Sequence, residues 1–219
     1  MSFLNRLLIT LLFNPGLAAP SAAEWGWYLG DIATFSAANT STTIPENVHS
    51  AVENGLDWVV LSAQPGAGLF VGLDKLVEEV KLTIPRLTPI LGSGWRDANG
   101  SARILGIDAR APIPHTLNEL LSMVSSHRGV VIQEALQSSS IRRGETIIFS
   151  PVHKGNWTTS IAVGGLWDQA LSRGRRVFIA GTSAESRPAA THTTVLWSEG
   201  NQEDHLIKSI RTGASYVTE

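Results

Sequence analysis

The residue types that could do metal-assisted chemistry are scattered along this 219-residue chain. A metal-assisted hydrolase needs imidazole and carboxylate groups clustered at strand ends, because together they hold a divalent ion that activates water. No two histidines lie within ten residues of each other: they are His49, His115, His127, His153, His192 and His205. The chain has no cysteine, which excludes a thiolate zinc site, a disulfide and a cysteine nucleophile.

Motifs for nucleophilic catalysis, nucleotide binding and nucleic-acid binding are also missing. The sequence contains no G-x-S-x-G nucleophile elbow, no P-loop and no G-x-G-x-x-G fingerprint. The net charge is −2, and the longest basic runs are the pairs Arg142-Arg143 and Arg175-Arg176. A nucleic-acid-binding protein would need a stronger electrostatic footprint than this.

Any site must therefore be assembled by the fold, and the sequence pattern from Trp25 onward predicts a single α/β domain. Because 43% of the residues are hydrophobic and 16% are charged, the chain can bury a core of its own. The predicted strands are Trp58–Leu61, Arg103–Ile107, Val130–Ile132, Thr146–Phe149, Val177–Ala180 and Thr193–Trp197. The predicted helices are a segment from Pro45 to a stop at Asn54-Gly55, then Leu73–Leu82, Thr116–Ser125, Ser160–Ser172, and Gln202–Arg211 before Gly213.

Residues 1–23 have the pattern of an export signal. Arg6 supplies the positive end, Leu7 to Phe13 form a short apolar run, and Ser21-Ala22-Ala23 offers small residues for cleavage. The apolar run is far shorter than the roughly 20 residues that span a bilayer. We expect a secreted or periplasmic domain of residues 24–219 with no membrane span in the mature chain. The alternative is a buried N-terminal helix.

Two early segments carry a family resemblance. Residues 30–36 read GDIATFS, and residues 54–64 read NGLDWVVLSAQ after a helix that opens at Ile44-Pro45-Glu46. These segments resemble the G-D-L-H-x-H-T and A-G-L-D-F-V-A-I-T-D-H motifs of the PHP superfamily (polymerase and histidinol phosphatase), and in particular those of its exported CehA/McbA-like branch. The spacing between the motifs is kept.

The resemblance extends to the end of the chain. Residues 91–106 are similar to the family's G-x-E-W and G-H-x-x-x-L-G motifs. Residues 166–185 are similar to W-D-x-L-L-x-x-G-R-x and G-G-S-D-x-H, and residues 210–218 to L-R-x-G-R-x-Y-V-T. The resemblance implies a PHP-type distorted (β/α)7 barrel whose strand ends hold two or three metal ions, typically zinc, manganese or iron, for phosphoester or related hydrolysis.

At the metal-ligand positions, this sequence departs from the family pattern. The motif histidines, aspartates and bridging glutamate fall on Ala33, Phe35, Ala63, Gln64, Gly94, Ser101, Ala135, Ser183 and Glu185, with Glu134 beside Ala135. A methyl group, a phenyl ring and a bare glycine cannot coordinate a cation. We therefore expect no metal site and no metal cofactor, while scaffold residues such as Gly30-Asp31 and Gly55-Leu56-Asp57 remain.

Three hypotheses about function follow. The first is a non-catalytic pseudoenzyme whose former active-site cleft binds a small molecule, such as a saccharide, or a protein partner. That cleft would be lined by Ala33, Phe35, Gln64, Trp95, Ser101, Ser183 and Glu185, although Trp95 could equally be a core aromatic. The second is a metal-dependent phosphoesterase or other hydrolase with a rebuilt site, whose acid–base groups would be Asp31, Glu134, Glu185 and His192. The third is a module of a longer protein that docks partners through exposed tryptophans.

Overall fold

The computed structural model describes residues 25–32, 44–63, 73–97, 100–107, 114–133, 147–153, 156–157, 161–181 and 192–218. These ranges contain eleven strands: β1 (Gly26–Asp31), β2 (Trp58–Ala63), β3 (Thr88–Asp97), β4 (Gly100–Leu105), β5 (Val130–Gln133), β6 (Ile147–Phe149), β7 (Val152–His153), β8 (Asn156–Trp157), β9 (Val177–Ile179), β10 (Thr193–Ser198) and β11 (Ser215–Thr218). They also contain five helices: α1 (Ile44–Glu53), α2 (Leu73–Thr83), α3 (Leu117–Ser126), α4 (Leu166–Ser172) and α5 (Glu203–Thr212). No helix in these ranges is long and apolar enough to cross a membrane.

Nine of the strands form one sheet in the order β11-β10-β1-β2-β3-β4-β5-β6-β9, and β7 and β8 form a separate hairpin. Seven strands of the large sheet run in one direction, while β4 and β10 run against them. The two ends of the sheet approach each other. Ser215 Oγ of β11 donates to the Ile179 carbonyl of β9 at 3.1 Å, and the Gly181 amide donates to Thr194 Oγ1 of β10 at 2.8 Å. The sheet is therefore a nearly closed barrel.

The interior of the barrel is apolar, and α5 closes one end of it. Side chains alternate between the two faces of a strand, and one face of every strand of the large sheet except β11 contributes to a single buried cluster. Its larger members are Ile32, Trp58, Val60, Ile90, Leu105, Ile132, Ile148 and Leu196, joined by Leu206, Ile207 and Ile210 of α5. Thr88, the first residue of β3, donates to the Asn201 carbonyl just before α5. Helix α5 therefore lies where the parallel strands begin, and the opposite end is the mouth of the barrel.

The outer face of the sheet packs against the other helices in three separate clusters. Helices α1 and α2 cover β2 and β3, α3 covers β4 and β5, and α4 covers β6 and β9. Each of these helices presents an amphipathic stripe, as its sequence pattern predicts. In the part of the chain that the structure describes, no helix covers the outer face of β10, of β11 or of the start of β1, whereas Leu29 farther along β1 packs with α1 and α2.

The structure confirms most of the predicted elements, and local signals explain where several of them end. Helix α1 stops at Gly55, whose φ of +70° is costly for any residue with a Cβ. Thr116 and Glu119 form a capping box at the start of α3. Helix α5 ends at Gly213, which has a φ of +77°.

Other predictions need correction. The helix predicted over Ser160–Ser172 begins only at Leu166, because Gly164 has a φ of +75° and Gly165 is the N-cap. Strands β1, β3, β7, β8 and β11 were not among the predicted strands. The implied (β/α)7 count is not confirmed, since the sheet of the described residues holds nine strands, of which seven run in one direction. A β3–β4 hairpin and the antiparallel strand β10 interrupt the regular β/α alternation.

Candidate functional site

The candidate site lies at the mouth of the barrel, where the carboxyl ends of the parallel strands meet. In barrels of this kind, the residues that follow the strands converge at this end. Above the apolar interior lies a set of polar side chains, which we call the mouth cluster: Ser62, Arg103, Ser150 and His192. All four are buried. The mouth therefore has a polar lining on a hydrophobic floor.

Strand alternation places each member of the mouth cluster on the inner face. Ser62 follows the interior residues Trp58 and Val60 along β2, and Arg103 shares its face of β4 with the interior residue Leu105. A Cβ built on Gly92 would lie 2.6 Å from Val60 Cγ1, 3.2 Å from Leu105 Cδ2 and 3.2 Å from Ser62 Cβ. These distances show independently that Ser62, Gly92 and Leu105, on three adjacent strands, lie on the same inner face of the sheet.

The other two members come from the far side of the barrel. Ser150 lies two residues after the interior residue Ile148, and so on the same face of the chain. Its amide continues the β5–β6 ladder by donating to the Gln133 carbonyl at 2.8 Å. His192 directly precedes β10. It lies four residues before Leu196, another interior residue, and so faces the interior as well. Arg103, Ser150 and His192 all have interaction partners within the protein.

A buried cation lies across from a glycine at the mouth of the barrel. Gly94 of β3 is in register with Arg103 of β4. Glycine presents no side chain there, and the neighbouring strand contributes a guanidinium that is 7% exposed. Guanidinium is charged at every physiological pH and offers five N–H donors in a fixed fork. Chemically, this arrangement suits an anion better than a metal ion.

The structure separates Asp31 and His192, the two described members of the proposed acid–base set. Asp31 is fully buried at the end of β1 and shares the face of Leu29, which packs with α1 and α2. Gly30 pairs with Thr194, so the same register places Ile32 opposite His192. Asp31 and His192 therefore lie on adjacent strands but on opposite faces of the sheet. The other two members, Glu134 and Glu185, lie outside the described residues.

Trp95 lies on the outer face of the sheet. It is 3% exposed and packs with Leu120 and Val124 of α3, and its indole Nε1 donates to the Pro114 carbonyl at 2.8 Å. This placement corrects the expectation that Trp95 lines the cleft and supports the core-aromatic alternative. Ser101 shares the inner face of β4 with Arg103 and is partly exposed nearer the mouth. Five further cleft-lining predictions lie outside the described residues: Ala33, Phe35, Gln64, Ser183 and Glu185.

Sequence reasoning missed Ser62, Arg103 and Ser150. The available signal was the alternation of side chains along each strand, since each of these residues lies two positions from an apolar residue and shares its face. Using that signal requires knowledge of which face of each strand points inward and of the direction of β4. Among the described residues, no group of three or more histidine, aspartate or glutamate side chains lies close enough together to hold a metal ion.

Comparison with known proteins gives a fold relative. No protein-family model matches the sequence, and no curated protein matches it. The structure is similar to the crystal structure of a two-domain protein from Bacteroides vulgatus that contains a predicted PHP-like metal-dependent phosphoesterase. The TM-score is 0.66 at 11% sequence identity, and the match covers 89% of this chain but only 65% of the other. The described residues therefore have a PHP-like fold.

Proposed function

We propose that this protein is an exported, non-catalytic member of the PHP superfamily, related to its CehA/McbA-like branch, that binds a small molecule or a partner at the mouth of its barrel. The observation that carries the proposal is the register between Gly94 and Arg103. At this point, where the resemblance expects a metal-bridging glutamate, one strand has no side chain and its neighbour has a buried cation.

A guanidinium in the mouth opposes the binding of a metal ion. Two unit charges 4 Å apart interact by about 4 kcal/mol at an effective dielectric constant near 20, and a divalent ion doubles that value. The replaced ligand positions also lower the affinity for a metal ion, because coordination free energy is lost with every ligand removed. Glu134 and Glu185 remain as carboxylates near the family's ligand positions, but two residues fall short of the family's ligand set.

The same guanidinium favours a ligand that carries a negatively charged group. Arginine binds carboxylate and phosphate through two parallel hydrogen bonds, and such charge-assisted bonds are strong where water is excluded. The hydroxyls of Ser62 and Ser150, on the same inner face of the barrel, offer further donors and acceptors.

Hydrolysis assays on the exported protein test the loss of catalysis. We expect a product that begins near Glu24, as intact mass would show. It should give no turnover of p-nitrophenyl phosphate or bis-p-nitrophenyl phosphate with Zn²⁺, Mn²⁺ or Fe²⁺. Chelator-sensitive turnover that falls at least tenfold in Asp31→Asn or His192→Ala would contradict the proposal and support the rebuilt hydrolase.

Calorimetric titration with inorganic phosphate tests the binding role of the mouth. We expect a saturable heat in the wild type that Arg103→Met abolishes and Arg103→Lys retains in part, because lysine keeps the charge but not the fork. The variant Arg96→Met, on the same hairpin, is the matched control. Equal phosphate affinity in Arg103→Met and the wild type would show that Arg103 does not form the site.

A further inference from the structure

A row of aromatic side chains lies exposed on the outer face of the barrel, far from the mouth cluster. Trp25, Trp27, Trp197 and Tyr216 are 52%, 58%, 38% and 48% exposed, respectively. They come from the start of the described chain, from β10 and from β11, and we call them the aromatic strip. None of the four belongs to a buried cluster of the described residues. Core packing therefore does not account for them.

The rings of the aromatic strip hold one another in place. Trp27 and Trp197 are directly opposite in the β1–β10 register, with ring centroids 5.0 Å apart. Trp25 stacks on Trp197 at 5.9 Å with an interplanar angle of 29°, and Tyr216 meets Trp27 edge-on at 5.5 Å. Rings fixed by such contacts lose little conformational freedom when a ligand arrives, which lowers the cost of binding.

The rings of the aromatic strip would form only part of the interface of a stable dimer. With about 150–250 Å² for each aromatic side chain, the exposed fractions correspond to roughly 300–500 Å² of ring surface. A standard protein interface uses about 800 Å² on each partner. An exposed apolar patch of a few hundred Å² is the usual size of the largest patch on a monomer, and such patches are often functional.

The chemistry around the aromatic strip indicates a neutral, hydroxylated ligand. A shallow groove of about 460 Å³ runs beside Trp27, Trp197 and Tyr216, and its remaining lining is Gly213, Ala214 and Ser215. None of these lining residues is charged, so, among the described residues, the groove itself presents no partner for an ionic ligand. The electron-rich ring faces attract C–H groups, while the indole N–H groups and the Tyr216 hydroxyl can form hydrogen bonds at the ring edges.

We propose that the aromatic strip is a binding platform for a neutral oligosaccharide. Pyranose rings with equatorial hydroxyls present C–H groups on both flat faces and hydroxyls around the rim, which matches aromatic faces flanked by polar edges. The rings pack against one another with centroids 5.0–5.9 Å apart and interplanar angles of 29–68°, so the strip is one compact aromatic surface that would contact one or two sugar units of a chain lying along the groove. This site is separate from the mouth cluster, and the proposal does not depend on the function of the mouth.

Titration of the full-length protein with cellohexaose, followed by intrinsic tryptophan fluorescence and calorimetry, tests this proposal. We expect saturable binding that falls at least tenfold in Trp27→Ala and in Trp197→Ala. Trp27→Phe should keep most of the affinity, because it keeps a ring in the same place. Leu82→Ala, which removes an exposed apolar side chain elsewhere, is the matched control and should leave the affinity unchanged.

Two results would overturn the proposal. The first is the absence of any fluorescence or heat change with cellohexaose at millimolar concentration, in wild-type protein whose thermal unfolding shows it to be folded. The second is self-association in sedimentation that Trp27→Ala and Trp197→Ala abolish, since this would make the strip an interface between copies of the chain. Phosphate binding at the mouth is measured separately, so failure of either site is distinguishable from failure of the other.

Discussion

At the scale of single residues, the motif positions that this chain keeps have structural roles. A Cβ on Gly30 would lie 2.1 Å from the Trp58 ring, which is fully buried and donates from Nε1 to the Tyr28 carbonyl. Asp57 accepts a 2.8 Å hydrogen bond from the Leu29 amide, which ties β2 to β1. Gly55, Gly174 and Gly213 all have positive φ. The presence of these residues is therefore explained by the fold, and it does not indicate catalytic activity.

The replacement of Gly30 by alanine should destabilise the protein strongly. The added methyl group would overlap the Trp58 ring, and overpacking of this kind typically costs about 1–3 kcal/mol and occasionally more. We expect a loss of about 3 kcal/mol in the free energy of unfolding, measured by urea denaturation. Gly55→Ala is the matched control, because its φ is +70° but nothing lies within 4 Å, and about 1 kcal/mol is expected there. Equal losses in the two variants would contradict the packing role of Gly30.

Residue types alone could not identify the mouth cluster. A serine or an arginine in a strand is unremarkable until the direction of the strand and its inner face are known. Arg103 stands inside a predicted strand, but only the antiparallel pairing of β4 with β3 aligns it with Gly94. The prediction that two ligand positions of the family fall on Gly94 and Ser101 rests on motif spacing, because the surrounding motif letters are kept.

At the scale of elements, the sequence predicted those with strong local signals and missed those that depend on tertiary pairing. Helices with a periodic apolar stripe and a capping residue were found, as were the apolar strands of the barrel interior. Strand β3 was missed because its glycines and its mixed composition, from Thr88 to Asp97, lack a clear strand pattern. Strand β11 is short and forms by pairing with β10. Strands of this kind form because they pair with adjacent strands, and their own sequences carry little strand signal.

Glu203, the first residue of α5, should make the free energy of unfolding depend on pH. Burial raises the pKa of Glu203 above its ordinary value of 4.5, against the opposing effects of Lys81 and of a hydrogen bond with the Leu91 backbone. The folded state thus holds the Glu203 proton more tightly than the unfolded state. Stability from this group is present below pH 4.5 and is lost as the pH rises through the raised pKa.

Glu203→Gln should therefore gain stability relative to wild type as the pH rises from about 4.5 to 7. The gain should be under about 1 kcal/mol, because the side chain is about one-third exposed and solvent screens the effect. Urea denaturation at several pH values measures it. Lys81→Met should enlarge the pH effect in an otherwise wild-type background, because Lys81 lowers the pKa of Glu203. A stability difference between wild type and Glu203→Gln that grows in favour of wild type with rising pH would contradict the assignment.

At the scale of the whole molecule, the fold is PHP-like, and the two proposed binding sites lie on separate surfaces. The mouth cluster lies inside one end of the barrel, and the aromatic strip lies on the outer face that no described helix covers. The members of the strip are far apart in the sequence, from Trp25 to Tyr216, so only the pairing of β1, β10 and β11 brings them together. The resemblance could predict the architecture, whereas neither surface was visible in it.

We propose that this barrel holds no metal ion. The most direct test is elemental analysis of the purified protein after exposure to zinc, manganese and iron and removal of unbound ions. We expect folded protein with metal well below one ion per chain, because the buried Arg103 lies in register with Gly94, where the proposal expects no bridging ligand. Stoichiometric metal that resists dialysis and raises the thermal stability would contradict the claim. It would indicate a rebuilt site that includes Glu134 or Glu185.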